Sequence, residues 1–239
     1  MTNYVLQAED VAIHYGGVKA LDGVALTLEK GQIRGLIGPN GAGKSTVIDA
    51  ITGRRRLTRG RIVLLSDDVS ALGVVERRAR GLSRSFQRTS VFSEMTVWRQ
   101  VELASHKMGV IDSANDAEAV LRELDLWNLR DQTAQDLGYG EQRRLDLALA
   151  LVGRPKVLLL DEPMAGLSVK ESLDLAQHLK KLTSTWDVSV LLVEHDMDVV
   201  FGISDAVTVF ELGRVIASGA PADVRANPRV REAYLGSAA

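Results

Sequence analysis

The chain contains the residues Gly38-Pro39-Asn40-Gly41-Ala42-Gly43-Lys44-Ser45-Thr46. They fit the pattern G-x-x-x-x-G-K-[ST], in which glycines let the backbone wrap so that its N–H groups point at phosphate oxygens. Residues 32–37 before the loop predict a strand, and a helical pattern follows from Lys44. Strand, loop and helix in this order predict a phosphate-binding loop, in which Lys44 reaches the β- and γ-phosphates and Ser45 binds Mg²⁺.

Two acidic residues, Asp161 and Glu162, follow the apolar run Val157-Leu158-Leu159-Leu160. The run predicts a central parallel strand buried on both faces, and ligands bind at the carboxyl ends of such strands. We expect Asp161 to hold Mg²⁺, directly or through water, because hard cations prefer oxygen ligands. Glu162 is placed to orient or deprotonate an attacking water. With the loop at 38–46, these residues predict a P-loop nucleotidase.

The remaining pattern predicts an α/β fold with a parallel sheet, because strands and helices alternate after the loop. We expect one domain over 1–239, with an antiparallel β addition in 4–37. Its core lobe takes roughly 1–87 and 154–239, and a helical lobe takes roughly 88–153. Helices are expected over 97–104, 117–130 and 141–153, with a polar break at 112–116. Further along, the sequence predicts a strand at 189–193, a hairpin of 207–210 with 214–217, and short closing helices.

A capping box, Ser168-Val169-Lys170-Glu171, predicts the start of another helix. Its apolar residues recur at helical spacing, and we expect this stripe to face the core. The stripe includes Val169, Leu173, Ala176 and Leu179.

Composition excludes several classes of protein. The 239 residues are 46% apolar and 25% charged with a net charge of −2, which excludes a disordered tail and argues against a wholesale nucleic-acid binder. Cysteine is absent, so no disulfide framework or thiolate site is possible. The first ten residues lack the basic start and apolar stretch of a signal peptide. We expect a cytoplasmic chain whose membrane role comes through a partner.

With these elements the chain resembles the ATP-binding cassette (ABC) family, the ATPase subunits of membrane transporters, over nearly its whole length. Tyr15 matches an aromatic that stacks on adenine, and Gln87 matches a glutamine that senses Mg²⁺ and water and contacts the permease. The run 137–142, Leu-Gly-Tyr-Gly-Glu-Gln, stands where the family has its signature loop. His195 matches a histidine that contacts the γ-phosphate.

The resemblance implies ATP and Mg²⁺ as cofactors and gives each residue a role. It makes Lys44, Gln87, Glu162 and His195 catalytic, and it makes Ser45, Gln87 and Asp161 metal ligands. Nucleotide contacts fall to Tyr15, to residues 38–46, and to Gly138, Tyr139, Gly140 and Glu141.

The implied partners are a second ABC ATPase subunit, transmembrane permease subunits and, indirectly, a substrate-binding protein, with no nucleic acid. Two cassettes of this family pack head to tail, so that each ATP lies between one P-loop and the opposite signature loop. The pair would be of one kind of subunit or two, and it would sit on the inner face of the cell membrane.

The signature loop departs from the family's usual Leu-Ser-Gly-Gly-Gln. Gly138 replaces the serine, so a hydroxyl that would donate to the γ-phosphate is missing, and Tyr139 replaces the first glycine. Glu141 replaces the glutamine and places a carboxylate near a helix N-terminus, which disfavours a nearby phosphate. We expect the signature loop of this chain to bind the γ-phosphate more weakly than the usual sequence does. The segment 165–168, Ala-Gly-Leu-Ser, lacks the family's usual aspartate, and Ser168 there is expected to be a helix N-cap.

Several features resemble the branch of branched-chain amino acid importers, among them the tyrosine-bearing signature and the closing residues 227–236. The segment 91–98 is also similar to relatives that import urea. A lipid or lipopolysaccharide extraction system is a second reading, and a permease-free regulatory or nucleic-acid-acting cassette is a third.

Residues 54–88 contain ten arginines against three acidic residues. One reading is a solvated basic face. The other is a surface that meets anionic lipid or an acidic permease loop.

Overall fold

The computed structural model describes residues 3–85 and 90–234. A six-stranded sheet with the order β10-β9-β3-β8-β7-β6 forms its centre. The strands are β3 (Ile33–Ile37), β6 (Leu82–Arg84), β7 (Val157–Asp161), β8 (Ser189–Val193), β9 (Ala206–Glu211) and β10 (Arg214–Gly219). Five strands run parallel, and β10 closes one edge as an antiparallel hairpin with β9. The predicted α/β fold with a parallel sheet is confirmed.

A second, antiparallel sheet has the order β2-β1-β4-β5. Its strands are β1 (Tyr4–Tyr15), β2 (Val18–Glu29), β4 (Arg59–Leu64) and β5 (Asp67–Asp68). The N-terminal antiparallel addition is therefore present. It gains two strands, β4 and β5, from the arginine-rich segment, where the sequence pattern predicts no strand.

Helices pack against the central sheet, and helices also form much of the chain between β6 and β7. They are α1 (Lys44–Ile51), α2 (Val74–Ala79), α3 (Val97–Lys107), α4 (Ser113–Glu123), α5 (Tyr139–Leu151), α6 (Val169–Thr185), α7 (Met197–Ile203), α8 (Pro221–Ala226) and α9 (Pro228–Tyr234). Short 3₁₀ turns stand at Trp127–Leu129 and Ala134–Asp136. In the part of the chain that the structure describes, no helix is long and apolar enough to cross a membrane.

Alternate residues of the central strands belong to two different cores. Leu158 and Leu160 pack with the helices α3 to α6, whereas Val157 and Leu159 pack with α1 and the antiparallel sheet. Burial on both faces explains why β7 is a continuous apolar run. It also holds the end of this strand rigidly, which matters for the residues that follow it.

The boundaries of α4 and α5 correct the expectations. The polar residues at 112–116 do not break a helix; they begin α4, because the Asp112 side chain caps it by accepting from the Asn115 N–H. This helix ends at Glu123 and does not run to 130. The helix expected from Glu141 begins at Tyr139, with Gly138 as its N-cap.

The predicted core stripe of α6 is wrong for its first turn. The capping box of Ser168 and Glu171 is present, but Val169 is 80% exposed and Leu173 is 55% exposed. These two side chains line a surface cleft with Leu167. Burial begins one turn later, with Leu175, Ala176, Leu179 and Leu182.

Two arginines of the segment 54–88, Arg77 and Arg78, belong neither to a solvated basic face nor to a surface that meets anionic lipid or an acidic permease loop. Arg77 is 1% exposed and donates to the backbone carbonyls of Ala50 and Ile51, which are the last residues of α1. Arg78 donates to the carbonyl of Val152 at the end of α5. These guanidinium groups satisfy carbonyls that helix ends leave unpaired, so they are parts of the fold.

Candidate functional site

The carboxyl ends of four parallel strands meet at one edge of the central sheet. Leu36 of β3 and Asp161 of β7 both pair with Val193 of β8, and Arg84 of β6 pairs with Leu159. The loop at 38–46, the pair Asp161–Glu162 and the segment 194–196 therefore emerge side by side, as expected for a ligand site in an open α/β sheet.

Glycine is required at two positions of the loop at 38–46. Gly43 has φ +106°, and a Cβ there would lie 3.0 Å from the carbonyl oxygen of Ala20 on β2. A Cβ on Gly38 would lie 2.5 Å from the carbonyl oxygen of Phe210. Close packing against β2 and β9 thus fixes the path of the loop.

Lys44 is buried inside this loop. Its Nζ donates to the carbonyls of Gly38 at 2.5 Å and Pro39 at 3.1 Å. Burial lowers the pKa of Lys44, and the carboxylates of Glu162 and Asp161 oppose that shift. The two carbonyl oxygens hold the ammonium group over the loop, and a phosphate oxygen could take their place as its hydrogen-bond acceptor.

The backbone of Glu162 is held in an unusual conformation. It has φ +51°, which is rare for a residue with a side chain. The guanidinium of Arg143, on α5, donates to the carbonyl of Glu162 at 2.5 Å and to that of Pro163 at 3.1 Å. A buried cation from α5 therefore fixes the turn that presents the Glu162 carboxylate.

Glu162 and His195 are in contact, with Oε1 of Glu162 2.6 Å from Nε2 of His195. Behind them, the buried carboxylate of Glu194 accepts from the N–H groups of Met164 at 2.8 Å and His195 at 3.3 Å. Burial raises the pKa of Glu194, chiefly by removing the carboxyl from water. Glu194 thus ties the segment after Glu162 to the segment that carries His195.

Asp161 is buried and forms an ion pair with Arg84. Nη2 of Arg84 lies 2.9 Å from Oδ2 of Asp161, and Nη1 lies 2.5 Å from Oδ1 of Asp49 on α1. The other oxygen of Asp161, Oδ1, is buried and forms no hydrogen bond with any described residue. The site therefore offers one oxygen that is suited to a cation or to a water bound to one.

The predicted signature residues pack against the segment after Glu162. The Tyr139 hydroxyl donates to the carbonyl of Ala165, and a Cβ on Gly140 would lie 2.3 Å from the Glu171 carboxylate. Glu141 caps its own helix, because its Oε2 accepts from the Gly138 N–H at 2.8 Å. Between described residues, no hydrogen bond or ion pair joins 138–141 to 38–46.

Tyr15 lies half-exposed at the end of β1, on the hairpin whose second strand packs against Gly43. The guanidinium of Arg55 lies 5.9 Å from the centre of its ring. Gln87, predicted as a metal ligand and catalytic residue, lies outside the described residues. Within the described ranges, no group of three or more acidic or histidine side chains could hold a metal ion by itself.

The matches to known families agree with this geometry. A sequence model described as ABC transporter matches residues 21–165, which is more than half of the chain. The chain belongs to the ABC transporter family. It is accordingly a nucleotide-binding cassette with ATPase activity. A second model, described as branched-chain amino acid ATP-binding cassette transporter, matches residues 214–239.

Several relatives are similar to this chain over its full or nearly full length. The chain is 37% identical to the high-affinity branched-chain amino acid transport ATP-binding protein BraF of Pseudomonas aeruginosa, over 100% of both chains. It is 32% identical to the lipopolysaccharide export system ATP-binding protein LptB of Haemophilus influenzae, over 97% of each. The crystal structure of the ADP conformation of MJ1267, an ATP-binding cassette of an ABC transporter, superposes with a TM-score of 0.89 at 30% identity, covering 99% of this chain and 100% of that one.

Four polar residues at the site of the cassette were missed by sequence reasoning. They are Asp49, Arg84, Arg143 and Glu194. A signal exists for the first, because Asp49 follows Ser45 by four residues and so lies on the same face of α1. Arg84, Arg143 and Glu194 each contact residues that are distant in sequence, and hydrophobic periodicity does not predict such contacts.

Proposed function

We propose that this cassette hydrolyses ATP to energise a membrane importer for branched-chain or related amino acids. The observation that carries the proposal is the match of residues 214–239 to the branched-chain amino acid model, together with full-length similarity to BraF. The fold class alone would not choose a substrate, because cassettes of one fold serve many transport systems.

The nucleotide fits the loop and its surroundings. The backbone N–H groups of the loop at 38–46, in which only Pro39 has none, bind the phosphates together with Lys44, and Tyr15 stacks on the adenine. Ser45 and Asp161 are the residues that would hold Mg²⁺, and the unpartnered buried oxygen of Asp161 supports this assignment. Bound Mg²⁺ neutralises charge on the β- and γ-phosphates. Gln87 is assigned here on its motif alone.

Hydrolysis follows from the pair Glu162 and His195. The Glu162 carboxylate orients a water and accepts its proton while the water oxygen bonds to the γ-phosphorus. The bond from that phosphorus to the leaving ADP oxygen breaks, giving ADP and inorganic phosphate. His195, 2.6 Å from Glu162, orients the carboxylate and donates to the γ-phosphate.

A second ABC ATPase subunit completes the site in this proposal. Residues 138–141 of that subunit face the γ-phosphate from across the interface, and the N-terminus of the helix corresponding to α5 supplies partial positive charge. ATP binding closes the pair, and hydrolysis opens it. The two subunits are of one kind or of two.

The permease is proposed to dock beside Gln87, on the inner face of the cell membrane. Ser85 and Ser90, the described residues that flank the segment with Gln87 in sequence, both line a cavity of about 280 Å³. Arg78 and Asp146 also line it. Most of the exposed wall is apolar, with Val74, Leu82 and Leu149 in it, and a mainly apolar wall that carries a few charged groups suits a short amphipathic segment of a permease subunit. A substrate-binding protein acts only through that permease.

The similarity to LptB favours a second candidate, the ATPase of a lipopolysaccharide export system. Deletion of the gene in its own cell separates the two candidates. We expect loss of labelled leucine, isoleucine and valine uptake, restored by the wild-type gene and not by the Glu162→Gln variant. Unchanged amino acid uptake with lipopolysaccharide retained in the inner membrane would establish the second candidate instead. Loss of urea uptake alone would move the substrate to urea.

A further inference from the structure

Arg84 is a buried cation that bridges two parts of the nucleotide site. Its side chain is 11% exposed and lies between Asp161, at the end of β7, and Asp49, on α1. We propose that Arg84 is a positioning residue that presents Asp161 to Mg²⁺. The proposal rests on the proposed role of Asp161 as a ligand to that ion.

The two oxygens of Asp161 stand in different environments. Oδ2 accepts from Arg84 at 2.9 Å, whereas Oδ1 is buried with no hydrogen bond among the described residues. A buried acceptor without a partner is costly and uncommon in folded proteins. The ion pair fixes the rotation of the carboxylate. Oδ2 therefore binds Arg84, and Oδ1 is available to bind the metal ion or its water.

Asp49 extends this arrangement to the other predicted metal ligand. It follows Ser45 by four residues on α1, and residues at that spacing share a helix face. Its bond to Arg84 at 2.5 Å therefore ties the helix that carries Ser45 to the strand that carries Asp161. The two ligands come from distant parts of the sequence, and Arg84 sets their spacing.

Charge and shape both require an arginine at this position. An isolated charge inside a protein is costly, and Arg84 is the cation that pairs with the buried carboxylate of Asp161. One planar guanidinium can serve two carboxylates at once with separate nitrogens. A lysine is a single point charge on a flexible stem and would hold one carboxylate at the expense of the other.

Manganese serves as a metal probe that does not depend on turnover. Free Mn²⁺ is measured by its electron paramagnetic resonance signal, in titrations of the cassette saturated with the non-hydrolysable analogue AMP-PNP. Mutation of a residue that orients a metal ligand typically lowers metal affinity about tenfold or more. We expect Arg84→Lys and Asp49→Asn each to weaken Mn²⁺ binding by about that factor, while AMP-PNP affinity measured in chelator stays unchanged.

The matched control is Arg61→Ala. Arg61 is also an arginine paired with a carboxylate, that of Glu9 at 2.7 Å, but this pair lies exposed on the antiparallel sheet. It should leave Mn²⁺ affinity unchanged. Asp49→Asn keeps the size of the side chain and leaves Arg84 in place, so it carries the test if Arg84→Lys does not fold.

Asp161→Asn separates the two levels of the proposal. If this variant loses Mn²⁺ affinity while Arg84→Lys and Asp49→Asn bind Mn²⁺ as the wild type does, the positioning role is overturned and the ligand role stands. If Asp161→Asn itself binds Mn²⁺ as the wild type does, the ligand role is overturned as well.

Discussion

The carboxylate of Glu162 lies 2.6 Å from Nε2 of His195, although 33 residues separate them in sequence. Parallel pairing of β7 with β8 brings the two together, because Asp161 stands opposite Val193 at the strand ends. Arg143 holds the backbone of Glu162. The pairing of these two strands therefore places the proposed base directly beside its partner.

Replacing His195 removes the partner that orients Glu162. We expect His195→Ala to lower the rate of ATP hydrolysis about 10²-fold or more, as for other groups that act in proton transfer, with ATP affinity little changed. Steady-state phosphate release and equilibrium ATP binding measure the two effects. His178→Ala is the control, since His178 contacts Asp125 at 3.6 Å on another part of the chain. Equal rates for the two variants would contradict the assigned role.

Tyr15 is proposed to bind the base and not the phosphates. Stacking of an aromatic side chain on a base contributes about 1–3 kcal/mol, so Tyr15→Ala should raise the Kd for ATP about tenfold or more. Tyr15→Phe should bind as the wild type does. Titration with inorganic tripolyphosphate provides the control, because its affinity should be the same for all three proteins. A parallel loss of tripolyphosphate affinity would show that Tyr15 acts on the loop itself.

The carboxylate of Glu141 both caps α5 and brings negative charge to the signature loop. Glu141→Gln keeps the oxygen that accepts from the Gly138 N–H and removes the charge. In a Glu162→Gln background, ATP-dependent pairing should strengthen about fivefold, from a repulsion of about 1 kcal/mol at a surface site. Analytical ultracentrifugation measures the pairing. A weaker association in this variant would contradict the expected repulsion.

Glu141→Ala separates the cap from the charge. It loses the capping bond, so the free energy of unfolding should fall by about 1 kcal/mol. Denaturant unfolding of this variant beside Glu141→Gln tests the difference, and equal stability of the two would argue against the cap.

Burial raises the pKa of Glu194 above its ordinary value of 4.5. The protonated carboxyl therefore favours the folded state, and this contribution is present below pH 4.5 and lost as pH rises through the folded pKa. The melting temperature of the wild type minus that of Glu194→Gln should fall as pH rises from 4.5 toward neutrality.

Scanning fluorimetry over a pH series measures this difference. Glu232→Gln, on the exposed surface of α9, supplies the control curve. A difference that stays constant or grows with pH would contradict the assigned effect of burial.

The sequence predicts the parts of the site that local chemistry specifies. The loop at 38–46 and the pair Asp161–Glu162 each follow a strand, and strand ends of a parallel sheet converge. Arg84 and Arg143 could not be predicted in this way. Their partners lie 35 and 77 residues from Arg84, and 19 and 20 residues from Arg143.

Two errors in the predicted elements have the same origin. The polar residues 112–116 predict a break, although Asp112 caps α4 and residues 113–116 form its first turn. Val169 and Leu173 have the spacing of a core stripe, but both side chains are exposed at a surface cleft. Periodicity gives the face of a helix, whereas the extent of the core depends on the tertiary structure.

The role of Glu162 is the central claim, and the nucleotide retained by Glu162→Gln tests it most directly. Wild type and variant are incubated with ATP and Mg²⁺, separated from free nucleotide, and the bound nucleotide is identified by chromatography. The wild type should contain ADP, whereas the variant should retain unhydrolysed ATP, because the amide keeps the shape of the carboxylate and cannot accept the proton of water. ADP formed in the variant at the wild-type rate would contradict the account.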